Sequence, residues 1–255
     1  MTISLKGKRG LIVGIANDKS IAWGCAKVFR EQGAELAITY LNDKAKVFVA
    51  PLAKKVRASL ILPLNVQSDA QLKAVFAAIV KKWGRLDFLL HAVAYCPNED
   101  LRGRTIDCSR EGFLTAMDIS CHSFIRMAKL VEPLMKKGGT LLTVGYLGSQ
   151  RVIEGYNVMG PVKAALDGTV KYLAAELGQK NIRVNSISPG PISTRAASGI
   201  VKFDVLAAQT RSRAILKRQL TIEEVGALAA FLVSDDARHI TGQTAYIDGG
   251  HSVMG

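Results

Sequence analysis

Short, uninterrupted apolar runs alternate along the chain with longer stretches in which apolar residues recur every three or four positions. The runs at 9–14, 34–40, 59–64, 86–93, 140–145, 183–188 and 244–247 predict seven strands. Most of them lack polar alternation, as strands do when both faces are covered in a parallel sheet. The stretches 21–32, 69–83, 110–135, 162–178 and 222–234 read as helices. Strand and helix taking turns in this way predict an α/β fold, a doubly wound, mostly parallel seven-stranded sheet flanked by helices. No repeat, low-complexity tract or linker divides the chain, so residues 1–255 are expected to form one domain.

Composition agrees with a large buried core: 255 residues, 49% of them hydrophobic, and a mean hydropathy of +0.18. No apolar run approaches the ~18 residues that cross a bilayer. The opening MTISLKGKRGLIVG holds too short an apolar segment for a signal peptide. A soluble, cytoplasmic protein without a membrane partner is the expectation. Cys25, Cys96, Cys108 and Cys121 form no pair at metal-ligand spacing and the four histidines are scattered, so no metal site is expected. The one bulk anomaly is a net charge of +13. Its lysines and arginines are spread in small clusters such as Lys6-Lys8-Arg9 and Lys54-Lys55-Arg57, not gathered into a tail. Either a solvated basic surface or an acidic partner (protein, cofactor phosphates or nucleic acid) accounts for it, and charge alone does not choose.

Right-handed crossovers place the loops after the strands on one edge, where open α/β sheets bind ligands. The first loop, from Gly14 to Gly24, is GIANDKSIAWG. Gly14 permits a sharp turn, and Ser20 stands at a helix start, where free N–H groups favour a pyrophosphate. It is not a GxGxxG signature, and an ordinary turn capped by Ser20 fits it too. At the end of the second strand, an acid would favour a free ribose 2′-hydroxyl and an arginine a 2′-phosphate. No arginine stands there, which favours NADH over NADPH. Asn65 and Val66 follow the third strand, where adenine would lie. The small residues after His91 would let backbone approach a cofactor.

The segment YLGSQRVIEGYNVMGPVK, Tyr146 to Lys163, follows the fifth strand. A tyrosine can stabilise a developing oxyanion by donating its phenolic proton, and a neighbouring ammonium is expected to lower the phenol's pKa and ease that donation. A helix beginning at about Val158 would put Lys163 near Tyr156 and leave Pro161 in the tolerant first turn. Tyr40 and Lys44 have similar types but sit on the wrong strand. After the sixth strand comes a loop of small residues with Pro and Gly, either a mobile cover, at about 191–217, or an irregular surface loop, and its place on the ligand edge favours the cover.

NIRVNSISPGPI and TGQTAYIDGG resemble the short-chain dehydrogenase/reductases, which have a Rossmann fold. GIANDKSIAWGCA, TYLNDK, YNVMGPVKAAL and GPISTRAASGI are similar to the NADH-dependent enoyl-acyl-carrier-protein reductases of bacterial fatty-acid biosynthesis. The likeness runs end to end. Its most specific element is Tyr-x6-Lys with a second tyrosine ten residues upstream, where the wider superfamily has Tyr-x3-Lys and a serine. The resemblance implies an oxidoreductase that transfers hydride from NADH to the β-carbon of a trans-2-enoyl thioester. Tyr156 would hydrogen-bond the thioester carbonyl, Lys163 would grip the nicotinamide ribose, and Tyr146 would be a second active-site tyrosine. Gly14, Ser20 and Ile21 would cradle phosphates, and Leu41, Asn65, Val66 and Val93 would line the adenosine. Ile192, Ser193, Thr194, Arg195 and Ala196 would contact nicotinamide and pyrophosphate and open the cover, while Cys96 would meet the acyl substrate. Acyl carrier protein and a homotetramer are the implied partners.

The chain departs from the family pattern at Asn65 (usually Asp), Leu41 (often polar), Cys96 (alanine) and Pro189 (often alanine), none of them a catalytic position. A carbonyl reductase of the same fold is the alternative activity. The intact Tyr146, Tyr156 and Lys163 argue against a non-catalytic dinucleotide sensor. The lack of any nucleic-acid-binding motif argues against a nucleic-acid partner.

Overall fold

The computed structural model describes residues 3–195, 197–199 and 203–254. Its strands are β1 (Arg9–Val13), β2 (Glu35–Tyr40), β3 (Leu60–Pro63), β4 (Phe88–His91), β5 (Gly139–Val144), β6 (Ile182–Pro189) and β7 (Thr244–Ile247). They form one sheet in the order β3-β2-β1-β4-β5-β6-β7. Every pairing among them is parallel, so the sheet is wholly and not mostly so. All seven strands fall within a few residues of their expected places.

The helices are α1 (Ile21–Glu31), α2 (Asp43–Lys55), α3 (Asp69–Trp83), α4 (Asn98–Arg102), α5 (Arg110–Met117), α6 (Ser123–Val131), α7 (Met159–Leu177), α8 (Phe203–Arg213) and α9 (Ile222–Val233). On one face α1, α2 and α9 bury Phe29, Leu52 and Val225 against Ile12, Ile38 and Leu90. On the other, α3, α6 and α7 bury Phe76, Phe124 and Leu166 against Leu11, Leu89 and Leu141. Capping sets several boundaries: Asn42 accepts from the Ala45 amide, Ser68 from that of Gln71, and Thr221 and Glu224 form a capping box. Among the described residues no helix is long and apolar enough to cross a membrane.

Two expectations need correction. The stretch 110–135 is not one helix. A π turn over Asp118–His122 separates α5 from α6, and a short 3-10 turn, Glu132–Leu134, follows. The apolar spacing continues through the break, because one wider turn shifts the register without interrupting burial of Phe124 and Met127. Helix α2 was not anticipated. Pro51 lies inside it on an exposed position, and its buried side is only Val49, Leu52 and Ala53, a weak periodic signal.

Candidate functional site

At the carboxyl end of β1 the chain turns through Gly14 with φ of +114°. A Cβ there would lie 2.1 Å from the Ala92 carbonyl oxygen, so β1 and the segment leaving β4 approach as closely as backbone allows. Sheet order reverses between these two strands, which opens the crevice that binds ligands in such folds. Ser20 occupies the N-cap position of α1 without capping it. Its hydroxyl accepts instead from the Ala16 amide at 3.0 Å and the Asn17 amide at 3.1 Å. The serine thus closes the loop on itself and leaves the first amides of α1, beginning with Ile21, without a side-chain cap.

The predicted adenosine-side residues stand in series along the same edge. Leu41 is exposed just past β2, Val66 is buried past β3, and Val93 packs on the core past β4. Asn65 accepts from the Gln67 amide at 3.0 Å through Oδ1, so its side-chain oxygen is committed to its own turn. Beyond β6, Ile192 packs on the core, and Ser193 and Arg195 are exposed. Thr194 accepts from the Ala197 amide at 3.1 Å. Ala196 lies outside the described residues.

The segment after β5 brings the tyrosines together. Tyr146 and Tyr156 have ring centroids 4.7 Å apart at an interplanar angle of 57°. Tyr156 sits in the turn before α7, flanked by Asn157 with φ of +43°, whose side-chain Nδ2 donates to the Leu101 carbonyl at 2.8 Å. Gly148 makes room for it, since a Cβ there would lie 2.5 Å from the Tyr156 ring. The Tyr156 ring belongs to a small core cluster with Cys96, Met159 and Val162, and Tyr146 packs against it. Helix α7 starts at Met159, so Pro161 falls in its first turn as required. Lys163 is 4% exposed, and its ammonium donates to the Val144 carbonyl at 2.6 Å. Tyr146 shares a narrow crevice of about 10 Å³ with Pro191 and Thr210. A larger surface concavity of about 540 Å³ lies between Glu132, Lys136 and Lys180, by the amino ends of β5 and β6 and far from these groups.

The electrostatics correct one expectation. The Tyr156 phenol is not lowered; burial first, then Tyr146 and Asp167, push its pKa up. Spacing alone implied a neighbouring ammonium, but Lys163 turns its own toward Val144, and burial outweighs the rest. Tyr146 is pushed up to about 12 by burial. Both phenols therefore hold their protons and are weaker acids than a free tyrosine, able to donate a hydrogen bond and reluctant to release the proton. Lys163 is brought down to about 8 by burial, against the upward pull of Asp167 and Cys121. Cys96 is pushed up to about 11, mainly by burial and then by Asp100 and Cys108, so it offers volume and backbone and not a nucleophile.

Three contributors escaped sequence reasoning. Asp167 stands one helical turn past Lys163, an (i, i+4) signal that was there to read. His91, wholly buried at the end of β4, lies 2.9 Å from Thr143 Oγ1 and 2.8 Å from Ser123 Oγ. Each hydroxyl also has a carbonyl to donate to, Ser123 that of Ile119 at 2.7 Å and Thr143 that of His91 at 3.1 Å, so both ring nitrogens are held by hydroxyls that can take either role. Burial, then Lys163, hold this imidazole neutral, down to about 3. In the π turn, Ser120 accepts from the Tyr95 amide at 3.0 Å and donates to the Tyr95 carbonyl at 3.2 Å, fixing the loop that carries Cys96. Among the described residues no cluster of side chains could hold a metal ion.

The family described as enoyl-(acyl carrier protein) reductase matches residues 14–252. A relative from Nostoc sp., an enoyl-acyl-carrier-protein reductase (NADH), is 46% identical over 99% of this chain and 99% of its own length. One of two such reductases from Rhizobium meliloti is 45% identical over 98% of this chain and 92% of its own. The crystal structure of the Anaplasma phagocytophilum reductase in complex with NAD matches with a TM-score of 0.95 at 45% identity, covering 98% of this chain and 96% of that one. The Bacillus cereus enzyme, with NADP+ and indole naphthyridinone, matches with a TM-score of 0.96 at 42% identity over the full length of both chains. The chain belongs to the enoyl-(acyl carrier protein) reductase family.

Proposed function

We propose that this protein reduces the double bond of a trans-2-enoyl thioester carried on acyl carrier protein, with NADH, in the last reductive step of fatty-acid elongation. The observation that carries it is the pair of tyrosines with ring centroids 4.7 Å apart, followed on α7 by a buried lysine, on the same sheet edge as the Gly14 turn.

The chain fits a dinucleotide along that edge, because Gly14 lets β1 turn tightly against Ala92 at the switch point of the sheet, just ahead of the amino end of α1. Gly14, Ser20 and Ile21 hold the pyrophosphate, and Leu41, Asn65, Val66 and Val93 line the adenosine. Ile192, Ser193, Thr194, Arg195 and Ala196 flank the nicotinamide and pyrophosphate, and Lys163 holds the nicotinamide ribose. Bound there, NADH supplies the hydride for the β-carbon. Tyr156, kept protonated by burial, donates to the thioester carbonyl and stabilises the enolate charge as it develops. The ammonium of Lys163 strengthens that field, and Tyr146 orders the Tyr156 ring. The backbone at Cys96 receives the acyl chain.

The segment 191–217 covers the substrate. In support, Pro191 and Thr210 line the Tyr146 crevice. Exposed Phe113, Leu114, Ile125 and Tyr172 on α5, α6 and α7 suit a homotetramer. The net charge of +13 suits an acidic carrier protein in the cytoplasm.

Initial rates with NADH and NADPH across enoyl chain lengths, set beside a 3-oxoacyl thioester, test the reading. NADH consumption with the enoyl thioesters is expected. Faster turnover of the 3-oxoacyl thioester would instead establish a carbonyl reductase, and no turnover of any enoyl chain with either cofactor would end the proposal.

A further inference from the structure

Asp167 is half-buried on α7, one turn beyond Lys163. Its carboxylate reaches away from its own helix. Ser149, in the turn that follows Tyr146, donates to Oδ2 at 2.5 Å, and Thr244 of β7 donates to Oδ1 at 3.4 Å. The same Oδ1 borders Gly145 at the end of β5, where a Cβ would sit 3.3 Å from it. One side chain thus joins the helix of Lys163 to the turn of Tyr146 and to two strand ends.

We propose that Asp167 is a positioning residue of the reductase site: its carboxylate straps the Tyr146 turn onto α7 and stations an anion beside Lys163. The proposal rests on the roles given above to Tyr146, Tyr156 and Lys163. The other groups acting on Lys163 carry little charge. From β4 comes the neutral imidazole of His91, from the π turn the thiol of Cys121, whose pKa burial raises, and from β5 the Val144 carbonyl. Among the described residues, Asp167 is the one carboxylate that acts on the lysine. It favours the ammonium against the burial that opposes it, and it also favours the protonated form of Tyr156. A single anion keeps both proton donors loaded.

Strap and charge separate by substitution. Asp167→Asn keeps an acceptor for Ser149 but removes the charge, whereas Ser149→Ala does the reverse. With Asp167→Asn, the basic limb of the kcat–pH profile should move below its wild-type position near pH 8, and kcat at pH 8 should fall about fivefold. Asp167→Glu should restore the limb. With Ser149→Ala the limb should stay in place, kcat should fall about threefold, and amide exchange across residues 147–150 should speed up. Nitrogen NMR of the Lys163 ammonium follows the same titration without turnover. An unmoved Lys163 titration in Asp167→Asn, or unmoved exchange in Ser149→Ala, overturns the proposal. A wild-type protein that turns over no enoyl thioester would refute the catalytic reading instead, and these two measurements would still decide the role of Asp167.

Discussion

The two halves of the ligand-binding edge are built on different principles. Beside β1 and β4 the surface is backbone: a glycine with φ of +114°, a strand end packed against it and the uncapped amides of α1. Beside β5 the surface is side chain: two tyrosines, a buried lysine and the carboxylate behind it. On the proposed reading the first half would bind an anion with groups that no ordinary substitution can delete, so it would be vulnerable only where a new atom intrudes. The second half would do chemistry with polar tips, so it would be vulnerable where an atom is removed. Mutations should sort accordingly.

The largest effect should come from deletion on the side-chain half. Tyr156→Phe should lower kcat by about 10²- to 10³-fold with a nearly unchanged KM, since it removes a donor that acts as charge develops. Steady-state kinetics decide this, and a loss confined to KM would move the catalytic donor elsewhere. Next comes intrusion on the backbone half. Gly14→Ala should destabilise the fold by about 2–3 kcal/mol in urea unfolding and abolish saturable NADH binding together, as its Cβ meets the Ala92 carbonyl. Normal NADH affinity in that variant would show that the turn does not hold the cofactor.

A pH experiment sets activity against stability within the side-chain half. The folded pKa of Lys163 lies at about 8, below its ordinary 10.5. Between those values the lysine binds more protons in the unfolded chain than in the folded one, so its own contribution to stability should rise with pH from about 8 toward 10. The buried thiols pull the other way from about pH 9, because Cys25, Cys96 and Cys121 hold their protons when the unfolded thiols ionise, and above 10 Tyr146 joins them. Over the same range kcat should fall, as the ammonium is lost. The lysine's contribution is therefore read as the difference in urea midpoint between the wild type and Lys163→Met, which should shift in favour of the wild type from pH 8 to 10 while kcat of the wild type falls. The smallest effect belongs to the backbone half. Ser20→Ala should cost about 1 kcal/mol of loop order, read as a severalfold higher KM for NADH with kcat preserved.

These contrasts also explain what the residue order revealed. Parallel strands announce themselves because both faces are buried, and α7 announced itself because Pro161 tolerates only a first-turn position. That both Tyr146 and Tyr156 lie on the ligand edge was readable from the strand order, and their meeting was implied by the family resemblance. The direction of the Tyr156 pKa was not, since spacing does not report how much water the ring loses. Nor was the break at Asp118–His122 visible, because a π turn preserves the apolar rhythm on both sides of it. Asp167 is a mixed case. Its place one turn past Lys163 was there to read, but its partners Ser149 and Thr244 lie 18 and 77 residues away, and only the fold brings them to it.

The pairing of β1 with β4 bears on how the protein is made. Gly10 stands opposite Phe88, and the Arg9 amide donates to Asp87 across 78 residues. Closing so long a loop is entropically costly and slow, whereas β1, α1 and β2 can assemble among neighbours. The crevice exists only once β4 has paired with β1, so any state in which β4 has not arrived lacks it. NADH can protect the finished protein, but it has nothing to grip while the chain is finding its way there. A chain halted on the ribosome before Phe88 would hold Gly14 and Ser20 with nothing opposite them.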